Sequence, residues 1–220
     1  IKKVKSVNNR TYDAFSEWGT GKAKAEYIGF RDAYYYSGNY NFNLDNSVTF
    51  GTEFENDEMD FKKSNYRGVE TIGAYFDVQN RLTENLYTTF GMRFDENDHV
   101  GNEDSHRVSF AYLTDNKKTK IHGTYGTSYR FPSLYENFQV WSGVSSGNMT
   151  AEVGKSHDIG IGRSFFLDKL NLDLTYFHHE YSDPLEGWKD TASDTNTFYH
   201  NQNGYIKSEG LELGGGWLAS

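Results

Sequence analysis

Apolar and polar positions alternate with period two along much of the chain. Between 47 and 55, Val48, Phe50, Thr52 and Phe54 fall on one side and Thr49, Gly51, Glu53 and Glu55 on the other. From 71 to 82, Ile72, Ala74, Phe76 and Val78 oppose Gly73, Tyr75, Asp77 and Gln79. From 86 to 94, Leu86, Thr88, Phe90, Met92 and Phe94 oppose Tyr87, Thr89, Gly91 and Arg93. From 170 to 176, Leu170, Leu172, Leu174 and Tyr176 oppose Asn171, Asp173 and Thr175. Successive side chains of a strand point to opposite faces, so these are strands with one apolar face. No helical stripe competes with them. Strands are expected near 3–13, 27–43, 47–61, 69–82, 86–97, 106–113, 118–130, 156–165, 169–181 and 197–218.

The connections alternate in length. Those at 43–46, 83–85, 114–117 and 167–169 are short; those at 62–68, 96–105, 132–154 and 182–196 are longer and polar. Short turns at one rim and long loops at the other describe an up-and-down antiparallel sheet, as in outer-membrane barrels. A soluble β-sandwich is the other architecture compatible with alternation, but its strands are usually ~5–6 residues long. Aromatics near the strand ends (Tyr34, Tyr36, Tyr40 and Phe42; Tyr125 and Tyr129; Tyr176 and Tyr181; Trp217) suit the girdles of a membrane barrel. The fold class expected is therefore all-β: an antiparallel, up-and-down transmembrane β-barrel segment of about ten strands belonging to a larger barrel. Val48, Phe50, Phe76, Phe90, Met92, Phe110, Leu172 and Leu174 are expected to face lipid.

Composition narrows the chemistry. The 220 residues include no Cys, two Pro and 22 Gly, with a formal net charge of −9. Disulfides and thiol nucleophiles are excluded, and an acidic chain is a poor general ligand for nucleic acid. Mean hydropathy is −0.79, and no run of 18 apolar residues occurs, which removes a transmembrane helix but not a barrel. Residue 1 is Ile, and 211–220 stops inside a strand pattern, so the chain is expected to be a piece of something longer.

One stretch carries more than pattern. An alternating strand, His122-Gly123-Thr124-Tyr125-Gly126-Thr127-Ser128-Tyr129, runs straight into Arg130-Phe131-Pro132-Ser133-Leu134-Tyr135-Glu136. This resembles the strand-to-loop signature of TonB-dependent outer-membrane receptors. Residues 148–162 resemble the family segment that opens the next strand, although its prolines are absent and Asp158 stands where the family has Glu. Tyr205-Ile206-Lys207-Ser208-Glu209-Gly210-Leu211-Glu212-Leu213 resembles the family's Gly-Val-Glu strand. Within the family, Tyr125-Gly126-Thr127-Ser128-Tyr129 followed by a basic residue looks most like cobalamin receptors.

The resemblance implies a barrel of about 22 strands closed by an N-terminal plug. Residues 1–220 would then be a partial β-barrel domain, without the plug and the remaining strands. It implies a receptor in the outer membrane of a Gram-negative-type envelope, not an enzyme. The receptor would import a scarce metal chelate, cobalamin or a ferric siderophore, energised by TonB through the plug. Its other partners would be outer-membrane lipid and lipopolysaccharide. The alternative function is a passive porin-type outer-membrane channel, which would lack the Arg130-Phe131-Pro132 and Glu209-Gly210-Leu211-Glu212 motifs.

Candidate chemistry is sparse. His178 and His179 are adjacent on a strand, face opposite ways and cannot chelate one metal together. No phosphate loop or nucleophile motif occurs, so no catalytic residue, resident cofactor or metal ligand is assigned. Two acidic clusters, Glu53, Glu55, Asp57, Glu58 and Asp60, and Asp95, Glu96, Asp98, Glu103 and Asp104, offer the oxygen ligands calcium takes, without EF-hand spacing. Solvated charge, or divalent ions bridging to lipopolysaccharide, is the expectation there. The candidate ligand contacts are Tyr129, Phe131, Tyr135, Phe138 and Trp141, where a strand enters the longest loop. Two readings of these rings stay open: contacts for a flat or amphipathic ligand, or a small core of the loop itself.

Overall fold

The computed structural model describes residues 4–5, 8–14, 23–61, 65–138, 140–141, 144–145, 148–189 and 197–218. Its strands are β1 (Val4–Lys5), β2 (Asn8–Ala14), β3 (Ala23–Asn41), β4 (Ser47–Phe61), β5 (Asn65–Arg81), β6 (Leu86–Asn97), β7 (Gly101–Leu113), β8 (Thr119–Arg130), β9 (Val140–Trp141), β10 (Val144–Ser145), β11 (Glu152–Phe165), β12 (Leu170–Ser182), β13 (Leu185–Lys189), β14 (Thr197–Asn201) and β15 (Tyr205–Trp217). One helix, α1 (Leu134–Phe138), lies between β8 and β9. Neighbours along the main sheet run β1-β3-β4-β5-β6-β7-β8-β11-β12-β15, all antiparallel, with β2 also on β3. Because β1 and β2 pair with successive parts of β3, they are one interrupted strand. β9–β10 and β13–β14 are separate hairpins. No described helix is long and apolar enough to cross a membrane, which says nothing of a β-barrel.

Cross-strand register assigns the faces, because directly opposed residues share one. Val48 pairs with Val78, Val78 with Phe90, Phe90 with Val108 and Val108 with Tyr125. Phe50 pairs with Phe76 and Phe76 with Met92, while Thr88 pairs with Phe110. Across the later strands Ile161 meets Leu174 and Leu174 meets Leu213, with Arg163, Leu172 and Gly215 in the next file. All eight residues expected on the lipid side therefore share one face. Tyr181 departs from the expected girdle: it pairs with Gly154 on the polar face.

Among the described residues the only buried hydrophobic side chains are Ala33, Val69, Met149 and Ala151, and no large side chain is fully buried. Phe50, Ile72, Phe90, Val108, Ile159 and Leu174 lie exposed instead. A soluble sandwich hides its alternating apolar files between two sheets. Here one sheet turns them outward, as a wall facing lipid does.

The apolar band on each strand spans about seven residues from the turn rim: Val48 to Phe54 on β4, Val78 to Ile72 on β5, Thr88 to Phe94 on β6. At ~3.4 Å per residue that is about 24 Å along the strand. Beyond the band the outward file turns polar, at Asn56, Glu70, Glu96 and Asp104. β3, β4 and β5 contain 19, 15 and 17 residues, more than the ~9–11 that cross a bilayer.

That excess corrects the expected loops. The connections placed at 62–68 and 96–105 are largely strand: β5 begins at Asn65, and only 98–100 separates β6 from β7. In water both faces can be polar, so apolar alternation ends at the lipid border while the hydrogen-bond ladder continues. The expected strand over 197–218 is also two strands, broken at 202–204, where Gly204 takes φ +137. β13 was not expected, and part of the expected strand over 3–13 falls outside the described residues.

Short turns close the opposite rim with their own side chains. Asn43 Oδ1 accepts from the Asp45 amide at 2.9 Å, and Thr83 Oγ1 accepts from the Asn85 and Leu86 amides at 3.3 and 3.1 Å. Such local bonds satisfy backbone donors that a tight turn leaves without a partner. Exposed Phe42, Leu44, Phe166, Leu167 and Trp217 gather there, with Phe166 edge-on to Trp217 at 6.2 Å.

Candidate functional site

At the loop rim β8 runs into Arg130-Phe131-Pro132-Ser133, and Ser133 caps α1. The Ser133 amide donates to Glu136 Oε2 at 2.7 Å, and the Glu136 amide donates to Ser133 Oγ at 3.3 Å. This reciprocal capping box satisfies amides that a helix start leaves open. The Asn137 amide donates to the Ser133 carbonyl at 2.9 Å, and Asn137 Nδ2 to the Pro132 carbonyl at 3.2 Å. Arg130 lies 3.1 Å from the same Glu136 carboxylate and 3.6 Å from Glu152 at the start of β11. Burial pushes the Glu136 carboxyl up, but the Ser133 amide, the Ser133 hydroxyl and Arg130 outweigh it and hold it below the usual carboxylate range.

Glu152 also accepts from the Leu185 amide at 3.1 Å. Beside it, the Thr150 amide donates to Asn201 Oδ1 at 2.8 Å, and Asn201 Nδ2 returns a bond to the Thr150 carbonyl at 3.0 Å. The loop after β8, the opening of β11 and the β13–β14 hairpin are thus tied together.

The five candidate ligand residues land in different surroundings. Tyr129 pairs with Val153, continuing the outward file of Ile121, Gly123 and Tyr125; its hydroxyl is buried without a hydrogen-bond partner. Half-buried Phe131 packs on it at 5.2 Å. Tyr135 meets Tyr199 of β14 edge-on at 6.0 Å. Phe138 packs on His99 of the β6–β7 turn at 4.7 Å and lies under the Arg67 guanidinium at 5.9 Å. Trp141 pairs through its backbone with Val144, and its side chain lies outside the described residues. Tyr135 and Phe138 are half-buried against other loops, so α1 docks on its neighbours and keeps ring surface open.

Sequence reasoning missed Arg67, His99, Tyr199 and Asn137. Only Asn137 carried a local signal, since Ser133-x-x-Glu136 is legible as a helix start. Asn137 is 8% exposed, and its Oδ1 has no partner.

Below this rim the polar face is wired by ion pairs. Arg93 reaches Glu53 and Asp95, each at 2.6 Å, and Asp95 is only 5% exposed. Arg31 holds Asp57 and lies 3.8 Å from Glu55, which accepts from the Tyr35 hydroxyl at 2.6 Å. Arg107 meets Asp77 at 3.4 Å, and His122 Nε2 lies 3.2 Å from Asp173. Gly73 lies beneath the Arg93–Asp95 pair, where a Cβ would collide with Asp95. His178 stacks on His157 at 5.0 Å on the outward face, while His179 sits on the other face beside Phe177. Among the described residues no three acidic or His side chains converge on a metal-sized site.

Residues 4–219 match the sequence profile of the family described as TonB dependent receptor-like, beta-barrel. The chain belongs to this family. No curated protein matches it in sequence.

Solved structures of siderophore receptors and of an iron transporter share the fold. The siderophore receptor PirA from Pseudomonas aeruginosa is 18% identical with a TM-score of 0.71, over 93% of this chain and 42% of its own. The ferric enterobactin receptor PfeA of the same organism is 18% identical with a TM-score of 0.70, over 96% and 38%. The FrpB iron transporter from Neisseria meningitidis is 13% identical with a TM-score of 0.71, over 91% and 35%. The chain thus spans well under half of these receptors. Family membership argues against the porin alternative, and two of the three motifs, the stretch from Arg130 to Glu136 and the segment opening β11, contribute to the network at the loop rim.

Proposed function

We propose that this chain forms part of the barrel wall of an outer-membrane receptor that binds and imports a scarce metal chelate, a ferric siderophore or cobalamin. The loop rim faces outward, the apolar files meet lipid and lipopolysaccharide, and TonB supplies energy through a plug domain. No covalent chemistry is required, and the loops hold the chelate without a resident cofactor. The siderophore and iron receptors among the structural relatives support the ferric reading. The cobalamin reading rests on the Tyr125-Gly126-Thr127-Ser128-Tyr129 resemblance.

The observation that carries the proposal is the fixed position of α1. The Arg130–Glu136–Glu152 ties and the capping box hold Tyr135 and Phe138 at the mouth, against side chains from other loops. Large aromatic rings lose little side-chain entropy on binding and offer broad contact. Tyr129 and Phe131 sit at the strand exit and orient the loop beside Pro132.

The test is binding of ferric siderophores and cobalamin to the intact receptor. Replacing Tyr135 and Trp141 together by Ala is expected to weaken binding by ~2 kcal/mol or more while barrel assembly is unchanged. Unchanged affinity, for a ligand the wild type binds, removes the loop from the site.

A further inference from the structure

We propose that the outward face of the wall carries a binding site for a divalent transition-metal ion, built by His157 of β11 and His178 of β12. The site lies on the lipid-facing side. It is therefore separate from any route through the lumen and does not depend on which chelate the receptor takes.

Along the sequence His178 has only His179 beside it, and that side chain points to the other face. Register supplies a different partner. His157 lies directly opposite His178, and Glu209 of β15 lies opposite His178 on its other side. These three are the first outward residues past the apolar band on their strands, after Ile159, Tyr176 and Leu211. The row sits at the lipid border, where an ion can arrive from water.

The spacing fits one ion. The His157 and His178 ring centroids lie 5.0 Å apart. Two imidazoles that share a tetrahedral ion at ~2.1 Å per Zn–N bond have centroids about 5 Å apart. The nitrogens are also in the right state. A carboxylate only accepts, so His178 Nδ1, 3.1 Å from Glu209 Oε2, carries the proton, and Nε2 of the neutral ring keeps its lone pair. A carboxylate behind the ring is the arrangement that orients metal-binding histidines and raises their basicity. The Tyr176 hydroxyl donates to the same carboxylate at 3.4 Å. The exposed His157 ring meets the Tyr176 and His178 rings and takes no hydrogen bond among the described residues, so its lone pair is open. No third acidic or His ligand converges on the pair among the described residues, and water fills the remaining positions. Imidazole suits Cu2+, Ni2+ and Zn2+, whereas Mg2+ and Ca2+ take oxygen ligands.

The test titrates the intact receptor, purified without a polyhistidine tag, with Zn2+ and Cu2+. Saturable binding that excess Mg2+ does not displace is expected. His157→Gln and His178→Gln should each weaken Zn2+ binding about tenfold or more, and Glu209→Ala severalfold. His179→Gln, adjacent in sequence but on the other face, should leave it unchanged. One equivalent of Cu2+ should show two imidazole nitrogens by pulsed electron paramagnetic resonance, and one in either His157→Gln or His178→Gln.

No binding by the wild type, or binding that survives both His157→Gln and His178→Gln, overturns the site. So does an equal loss in His179→Gln. Chelate binding measured on the same samples reports separately on the receptor reading, which none of these results touches. Heat-modifiable gel mobility checks assembly; should His178→Gln fail to assemble, His157→Gln, whose ring is exposed, decides.

Discussion

Across β4, β5 and β6 the outward file Phe50, Phe76 and Met92 is apolar throughout, whereas the file Glu53, Gly73 and Asp95 on the opposite face is bound by Arg93. The first file has one requirement, that each side chain be apolar, because lipid is an undiscriminating neighbour. The second depends on particular partners: a glycine where two large polar groups cross, an arginine long enough to reach two carboxylates. Substitutions should therefore follow polarity on one face and partnership on the other.

The sharpest way to break this comparison is to place the same charge on both faces. Phe90→Arg puts a guanidinium on the lipid side of β6 and is expected to cost ~2–4 kcal/mol at the middle of the membrane. Thr89→Arg, one residue away on the lumen side, should be far better tolerated. Heat-modifiable gel mobility of the two variants in the intact receptor reads the difference; equal behaviour would count against the face assignment, and a reversed order would mean the faces are the other way round.

The second prediction tests partnership. Arg93→Leu keeps bulk but leaves Glu53 and the nearly buried Asp95 without their counter-charge. A loss of about 2 kcal/mol is expected, because a buried charged acceptor stripped of its donor bears its desolvation cost alone. Adding Asp95→Asn should recover part of the loss, and denaturant unfolding of the four combinations measures the coupling. If the two changes simply add, the polar face is not wired as described.

What the sequence made legible follows from the same contrast. The apolar face could be read from Val48, Phe50, Phe76, Phe90 and Leu174 because period-two alternation is a local signal, needing no knowledge of neighbours. The partners of the polar face could not be read, since Glu53 and Arg93 are 40 residues apart in sequence and meet through register. Strand ends were misplaced at 62–68 and 96–105 for a related reason: above the lipid border nothing forces alternation, so sequence there looks like loop although the ladder continues. At the loop rim, Tyr135 and Phe138 were visible as aromatics without a strand pattern, yet Tyr199, His99 and Arg67 arrive from distant segments. Tyr129 was grouped with them by proximity along the chain, while register puts it in the outward file.

The smallest effect expected lies at the loop rim, where partnership is exposed to solvent and to pH. The Glu136 carboxyl is held below its usual range in the folded protein, with burial opposing and the Ser133 amide, the Ser133 hydroxyl and Arg130 prevailing. A carboxyl whose folded pKa is depressed contributes its stability above the unfolded value, and loses it as pH falls through the unfolded and then the folded pKa. The tie between α1 and β8 should therefore be intact at neutral pH and weaken progressively below about pH 4.5, the ordinary glutamate value. Loosening of this one cap is worth about 1 kcal/mol at most. The sheet should stay assembled while the loop after Pro132 becomes easier to cleave. Limited proteolysis of the intact receptor across this range, read against heat-modifiable mobility, separates the two. In Glu136→Gln, where the side chain still reaches the Ser133 amide but cannot titrate, cleavage should be somewhat faster at neutral pH and should lose its acid dependence. An unchanged acid dependence in that variant would place the titrating group elsewhere at the rim.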